Sequence, residues 1–311
     1  MAELAALRVA IVGVGVVGER VRRNLAGSCH LVPADVGADV VVLTTPAPHA
    51  PAAQAHVGLG THVVSTSGAL DDVRHLLDLD ALARDHGAAL VAGAAVSPGL
   101  SGLLARRLAG RLAGCDELHI AVHGTAGPAC AREHHRALAS SAIGWHDGDW
   151  IERQGGSGRE LCWFPEPVGA RDCYRGELAD PVLLHRGFPD VGRISARISA
   201  TRRDRMTSRL PMLSPPHAEG GIGALRVEAR GHDAGGARTT DVLGIAELIG
   251  TATAAVAAAM VGELARRPDR AGVVTTADAD LAIGGVLHDV MRFGVRPQTF
   301  TGVPEALSLR G

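Results

Sequence analysis

At 311 residues the chain has the length for two ordinary domains, or for one nucleotide-binding domain with a large insertion, and it buries a sizeable core either way. A net charge of -2 gives no single-sign field to hold nucleic acid or an anionic membrane, which leaves a small molecule as the default partner. All 31 basic residues are Arg, and the absence of Lys excludes a Schiff-base lysine, a Walker-type phosphate lysine and a lysine general base.

Leu7 to Val12 is a short apolar, β-branched run that enters Gly13-Val14-Gly15-Val16-Val17-Gly18, and Glu19 to Leu25 has helical composition. Strand, glycine turn and helix together form the context in which GxGxxG binds a dinucleotide. Gly13 permits the tight turn, Gly15 lets the backbone approach a pyrophosphate, and Gly18 lets helix and strand pack closely. Val16 and Val17 open the helix, whose free N–H groups face the phosphates. The alternative reading is a glycine-rich turn that binds nothing. Asp35 lies at the distance of a ribose-binding acid and leans the expectation toward NAD over NADP. Pro33 interrupts this second strand, and only Val36 and Gly37 separate Asp35 from the next apolar run. The third strand of a usual nucleotide half is therefore absent, and Asp35 reads equally as a solvated turn residue.

Ala38 to Thr44 and His62 to Thr66 are continuous apolar runs of the buried parallel-strand type, with a helix expected over Pro48 to Leu59 between them. A helix over Asp71 to His86 stops at Gly87, a strand follows at Ala88 to Ala92, Gly93 to Gly99 is a loop, and Leu100 to Leu112 is helical. Strands alternating with helices predict an α/β architecture, a Rossmann-type doubly wound parallel sheet shortened after its second strand.

From about Leu118 the texture changes to alternating stretches such as Leu118 to His123 and Arg193 to Ile198, with Pro- and Gly-rich turns between. That pattern predicts a second, α+β domain containing an antiparallel sheet. The expected division is residues 1–117, 118–240 and 241–311, the last mainly helical and returning to the first domain. Six of the eight aromatic residues (Trp145, Trp150, Trp163, Phe164, Tyr174, Phe188) fall in the middle section, where they line either a pocket or a core. Leu248 to Gly262 is too short and too rich in Ala and Gly to span a bilayer, and reads as a buried helix. The five cysteines are odd in number and unpaired in spacing, and no signal-peptide pattern opens the chain, so a reducing, cytoplasmic setting is expected.

The run GVGVVG, the segment Ala38 to Pro46, Gly60 to Ser65 and Gly93-Ala94-Ala95-Val96-Ser97-Pro98-Gly99 resemble saccharopine dehydrogenase-like NAD(P)-dependent reductases. The glucose-fructose oxidoreductase-like family shares the first half of that pattern. The resemblance covers about residues 7 to 110 and is looser through Trp163 to Gly169 and Arg186 to Pro189. It implies that the Thr-Pro turn and the Pro-Gly loop lie near the nicotinamide half of the cofactor, and so implies roles for Thr45, Pro46, Ser97, Pro98 and Gly99. The segment after Asp35 departs from the family pattern.

Carbonyl or imine reduction needs a hydride donor held close to the acceptor carbon and a proton source. With no Lys, the candidates for the proton are His123, at a strand end before a glycine turn, and His134, on a helix after Pro128; the bland reading of each is a solvated or packed histidine. His135 and Arg203, in the run Arg202-Arg203-Asp204-Arg205, are candidates for substrate contact. Cys130 and His134 share a helical face but lack the paired short spacings of a closed zinc site, so no metal is expected. The four loops 13–18, 45–49, 65–68 and 93–99 should form one wall of a cleft, with 123–135 opposite. The expected protein is an NAD(P)-dependent oxidoreductase of a small carbonyl or imine, amino-acid-like metabolite, acting as a homodimer. The rival is a non-catalytic Rossmann-fold protein used for ligand sensing or partner assembly.

Overall fold

The computed structural model describes residues 2–212 and 220–299, so residues 300–311 of the expected C-terminal segment lie outside the described residues. A short helix α1 (Ala2–Ala5) leads into β1 (Arg8–Val12), α2 (Val16–Leu25), β2 (His30–Val32), β3 (Val40–Leu43), α3 (Ala50–Val57), β4 (His62–Ser65), α4 (Leu70–Asp78), α5 (Asp80–Asp85), β5 (Ala89–Ala92) and α6 (Leu100–Ala109). The next stretch holds β6 (Gly114–His123), α7 (Pro128–Ala137), β7 (Ser141–His146), β8 (Asp149–Gln154), β9 (Glu160–Trp163), β10 (Ala170–Arg175), α8 (Asp180–Gly187), β11 (Arg193–Ser199), α9 (Arg202–Thr207), β12 (Ile222–His232) and β13 (Arg238–Leu248). Then come α10 (Ile249–Arg266), β14 (Gly272–Thr275), α11 (Ile283–Arg292) and β15 (Gln298–Thr299).

The first sheet has six strands in the order β14-β5-β4-β3-β1-β2, all parallel. Val40 to Leu43 and Ala89 to Ala92 are buried at every position, as strands covered on both faces must be. β2 is the edge strand and is three residues long, because the chain turns away at Pro33. The Ile11 carbonyl lies just past its last partner on β2 and accepts from Arg22 Nη2 at 2.9 Å, so a guanidinium stands in for the missing ladder bond. Residues 33–39 return directly to β3, which is the predicted shortening. The one helix expected over Asp71 to His86 is two, α4 and α5, separated at Leu79.

The second sheet follows the path β15-β13-β12-β6-β11-β10-β9, with β7 paired to β11 and β8. Its pairs are antiparallel except β6 with β11, so the expected antiparallel sheet is mixed. The expected break near residue 117 falls inside β6. The helix expected from Asp241 starts instead at Ile249. Residues 241–248 are the second half of β13, which pairs with β12 at eleven successive positions and follows its β-branched Thr and Val content.

α10 is buried almost along its whole length and runs directly on from β13. Its alanines and glycines keep the helix thin enough for close packing against the side chains of α2: a Cβ at Gly250 would stand 2.8 Å from Arg20 Nη1 and 3.0 Å from Val16 Cγ1. One continuous core joins Val9 and Val42 of the first sheet, Leu225 and Ile245 of the second, and Ala255 and Met260 of α10. No helix among the described residues is long and apolar enough to cross a membrane.

Candidate active site

A cavity of about 570 Å³ opens beyond the carboxyl ends of β1, β3, β4 and β5. The first wall comes from the glycine loop (Gly13, Val14, Gly15, Val16, Val17), from Thr44, Thr45 and Pro46 after β3, from Thr66, Gly68 and Ala69 after β4, and from Ala95, Val96 and Ser97 after β5. Across it stand residues 126–130, Glu133, His134, Arg136 and Ala137 at and along α7, with Ser140, Glu177, Leu178, Ile249 and Thr253 closing the ends. The four strand-end loops thus face residues 126–134 of the opposing segment, as the topology demands.

Each loop glycine has its own physical reason. Gly13 has φ +128°, a conformation that side chains rarely adopt. A Cβ on Gly18 would stand 2.5 Å from the Gly13 carbonyl oxygen. Around Gly15 there is open space, so the backbone there is bare to an approaching group. Four helices, α2, α4, α7 and α10, begin at the cavity, and none has a side-chain cap. Their free N–H groups and dipole ends make the cavity attractive to anions such as a pyrophosphate. The residues therefore fit a dinucleotide: a bare glycine, an uncapped helix start and a cavity of ligand size occur together.

Behind the Thr45-Pro46 turn a buried network fixes its shape. His49 Nε2 donates to the Thr45 carbonyl at 2.8 Å, and Ser65 Oγ donates to Nδ1 at 2.8 Å, a tautomer that the carbonyl dictates. Asp72, buried, accepts from the backbone N–H groups of His49 and Ala50 at 2.8 and 2.9 Å. Burial pushes the His49 imidazole below its usual range. On the β5 side, Ser97 Oγ lies 2.6 Å from Oδ2 of Asp180, a carboxyl group with no solvent exposure.

α7 carries the ionisable groups of the cleft. Burial pushes His134 below the ordinary imidazole range, while Glu133 and Asp180 pull it back up. Burial also pushes the carboxyl groups of Glu133 and Glu177 upward. Cys130 Sγ lies 3.9 Å from His134 Nε2, and burial raises its thiol to about 11, which keeps it protonated. No group of three or more His, Cys, Asp or Glu is arranged to hold a metal among the described residues.

Several expected site residues stand elsewhere. His123 does not line the cavity, because alternation along β6 puts Val122 into its wall and turns His123 to the sheet's other face. There His123 Nδ1 meets Ser199 Oγ at 2.7 Å and its ring packs beside Phe164. His135, one helical position past His134, points out of the cleft and bonds through Nε2 to the carbonyls of Thr207 and Leu210 at 2.9 and 3.2 Å. Arg203 is exposed on α9, whose capping box joins Thr201 and Asp204, so the basic run is a surface helix rather than a clamp. Asp35 is exposed in the turn after β2, outside the cavity lining, as a solvated turn residue would be. Gly18, Pro98 and Gly99 support the wall from behind without lining it. The clustered aromatics do not line it either: Trp145 and Trp150 pack on His185, Phe188 under Arg106, and Tyr174 under Arg205.

Glu133, Arg136, Glu177 and Asp180 are the site residues that the sequence reading missed. Glu133 and Arg136 flank the histidine pair, and helical spacing was the available signal: Arg136 lies three past Glu133 on one face. Nothing local marks Glu177, in the segment between β10 and α8, or Asp180, the first residue of α8.

No protein-family model and no curated protein matches the chain. Solved structures with which it shares its fold include saccharopine dehydrogenase (L-Glu forming) from Saccharomyces cerevisiae, at 13% identity over 94% of this chain and 100% of that one, with a TM-score of 0.64. They also include a meso-DAPDH mutant with DAP from Clostridium tetani, at 14% identity, 90% and 96% coverage and a TM-score of 0.52. An engineered D-amino acid dehydrogenase bound to NADP+ matches at 15% identity, 93% and 99% coverage and a TM-score of 0.51. At these identities the likeness is one of architecture. The chain shares its fold with saccharopine dehydrogenase, and in this chain a six-stranded parallel sheet joins a larger mixed sheet across one cleft.

Proposed function

We propose that this protein is an NAD(P)-dependent oxidoreductase that moves a hydride between a nicotinamide and the carbonyl or imine carbon of a small, amino-acid-like metabolite. The observation that carries this reading is the single cavity in which a bare glycine loop and an uncapped helix start face α7 and its Glu133, His134 and Arg136. Gly13, Gly15, Val16 and Val17 would hold the pyrophosphate, with Thr45, Pro46 and Ser97 beside the nicotinamide half. Bound there, the nicotinamide supplies or accepts the hydride.

The chain's own residues handle the rest. His134, kept neutral by burial near pH 7, is poised to take a proton from the ligand in the oxidative direction and to return it in the reductive one. Glu133 and Glu177 present carboxyl groups to an ammonium, and Arg136 presents a guanidinium to a carboxylate, the two ends of an amino acid. The largely apolar remainder of the lining excludes water and so strengthens each of these contacts. Asp35 stands in the turn after β2, outside this cavity, and a preference for NAD over NADP would require the adenosine ribose to extend to it. The five cysteines are free, as suits a reducing cytoplasm, and the active form is taken to be a homodimer.

The test is fluorescence titration with NADH and NADPH, followed by absorbance-monitored turnover of NAD+ and NADP+ against a panel of amino acids. Micromolar to low-millimolar binding and amino-acid-dependent reduction are expected. Binding without turnover of any amino acid or keto acid would favour the non-catalytic reading, and no binding at all would remove the cofactor assignment.

A further inference from the structure

Asp180 opens α8 just behind the cleft wall, fully buried, with its Oδ2 2.6 Å from Ser97 Oγ. Ser97 lines the cavity and Asp180 does not, so the hydroxyl is the carboxyl group's contact with the cleft. Ser101 of α6 lies against the same carboxyl group, and His134 across the cleft, itself flanked by Glu133, acts on it electrostatically when protonated. Asp180 has no Arg partner among the described residues, and a buried aspartate in that position carries a large desolvation cost when ionised. The group is already at a helix N-terminus, which favours the anion, so its two protonation states are brought closer in energy.

We propose that Asp180, acting through Ser97, is a second proton-handling station of the cleft, a positioning residue whose protonation state decides what Ser97 offers a ligand. With the carboxylate ionised, Ser97 donates inward to Oδ2 and turns its lone pairs to the cleft. With the carboxyl group protonated, Asp180 donates to Ser97 Oγ, and the serine proton points at the ligand. A proton leaves a ligand ammonium by one concerted shift: the N–H bond breaks as a new Ser97 O–H forms, and the former Ser97 proton passes to Oδ2. Two protons each shift by one bond, the net transfer is one proton from the ammonium to the Asp180 carboxylate, both charges are neutralised, and no change of oxidation state is involved.

Burial raises the Asp180 carboxyl group above its usual range, against the pull of Ser101, Ser97, its own backbone and His134. The coupling to His134 means that each station holds its proton less readily when the other is protonated. This proposal rests on the reading that the cleft binds an amine or imine ligand, but its first test needs no ligand.

Infrared difference spectra of the full chain, taken across pH for the wild type, Asp180→Asn and Ser97→Ala, isolate the buried carboxyl band. A protonated-carboxyl band that persists where exposed aspartates are ionised, vanishes in Asp180→Asn and shifts in Ser97→Ala is the expected result. Absence of that band, or a band indifferent to Ser97→Ala, overturns the proposal. In turnover with NAD+ or NADP+ and the amino acid panel, Asp180→Asn should lower kcat about 100-fold and erase one limb of the pH profile, with cofactor KM unchanged. A profile with both limbs intact overturns it as well. If the wild type turns over nothing, the oxidoreductase reading fails, while the infrared result still decides the Asp180–Ser97 coupling.

Discussion

Single side chains in the cleft divide into those that face a ligand and those that hold the wall. His134 belongs to the first group, so His134→Gln should lower turnover by about tenfold or more and leave NADH affinity nearly unchanged, the behaviour of a group used mainly in the transition state. A parallel loss of cofactor affinity would mean that the ring positions the nucleotide instead. His49 belongs to the second group. Its folded-state imidazole is depressed below the unfolded value, so the unfolded chain binds more protons once the pH falls below ~6.5. Stability from this residue is therefore full above that pH and falls as acid is added, through the window between the unfolded and folded values. Urea unfolding at pH 7.5 and 5.5 should show the loss, and His49→Asn should flatten it while costing about 2 kcal/mol at pH 7.5 through the broken network. An unchanged pH slope in His49→Asn would assign the effect to the other buried histidines.

At the level of elements, the glycine loop makes two opposite predictions. Gly15 is in extended backbone with no atom within reach of an added Cβ, so Gly15→Val should fold normally and lose nucleotide binding. Gly18→Ala forces a contact with the Gly13 carbonyl and should destabilise the fold by about 1–3 kcal/mol before any ligand is added. Thermal unfolding with and without millimolar NADH separates the two; a Gly15 variant still protected by NADH would show that the loop does not carry the pyrophosphate. On the β7–β8 hairpin, Trp145 stacks on His185 at 3.8 Å between ring centroids, and Trp150 meets the same ring edge-on. Burial holds His185 neutral at pH 7, so acidification through its lowered range should place a cation on the indole face and quench tryptophan emission. His185→Phe should remove that pH dependence.

At the scale of the molecule, α10 ties the two sheets together. It continues from β13 of the second sheet, packs on α2 and α11, and shares one core with the strands of both sheets. The expected consequence is a single calorimetric transition with equal van't Hoff and calorimetric enthalpies rather than two. Two resolved transitions would show that the sheets unfold independently despite the shared helix. Leu161 and Trp163, more than half exposed on the edge strand β9, are two of the exposed large apolar side chains among the described residues, and they lie together where an association such as the proposed dimer would cover them. Light scattering at micromolar concentration should return twice the chain mass, and a monomer there would remove the dimer from the reading.

The local signals in the sequence were enough for the first sheet, because a strand buried on both faces must be apolar throughout and a phosphate loop must be glycine at fixed positions. Val40 to Leu43, Ala89 to Ala92 and Gly13 to Gly18 follow from that alone, and so does the truncation at Pro33. Which face a histidine takes was not readable. His123 and Val122 differ by one step of a two-residue period, so a strand-end register that only β12 and β11 establish sent the histidine away from the cleft. The second half of β13 and its junction with α10 were also hidden, since Asp241 to Leu248 contains enough Leu, Ala and Ile to suit a helix until β13 pairs with β12 at eleven positions. Asp180 carries no local mark at all. Its burial against Ser97 arises only when α8 folds back over the β5–α6 loop, 83 residues away in the chain, because proximity at that separation belongs to the fold and not to the sequence neighbourhood.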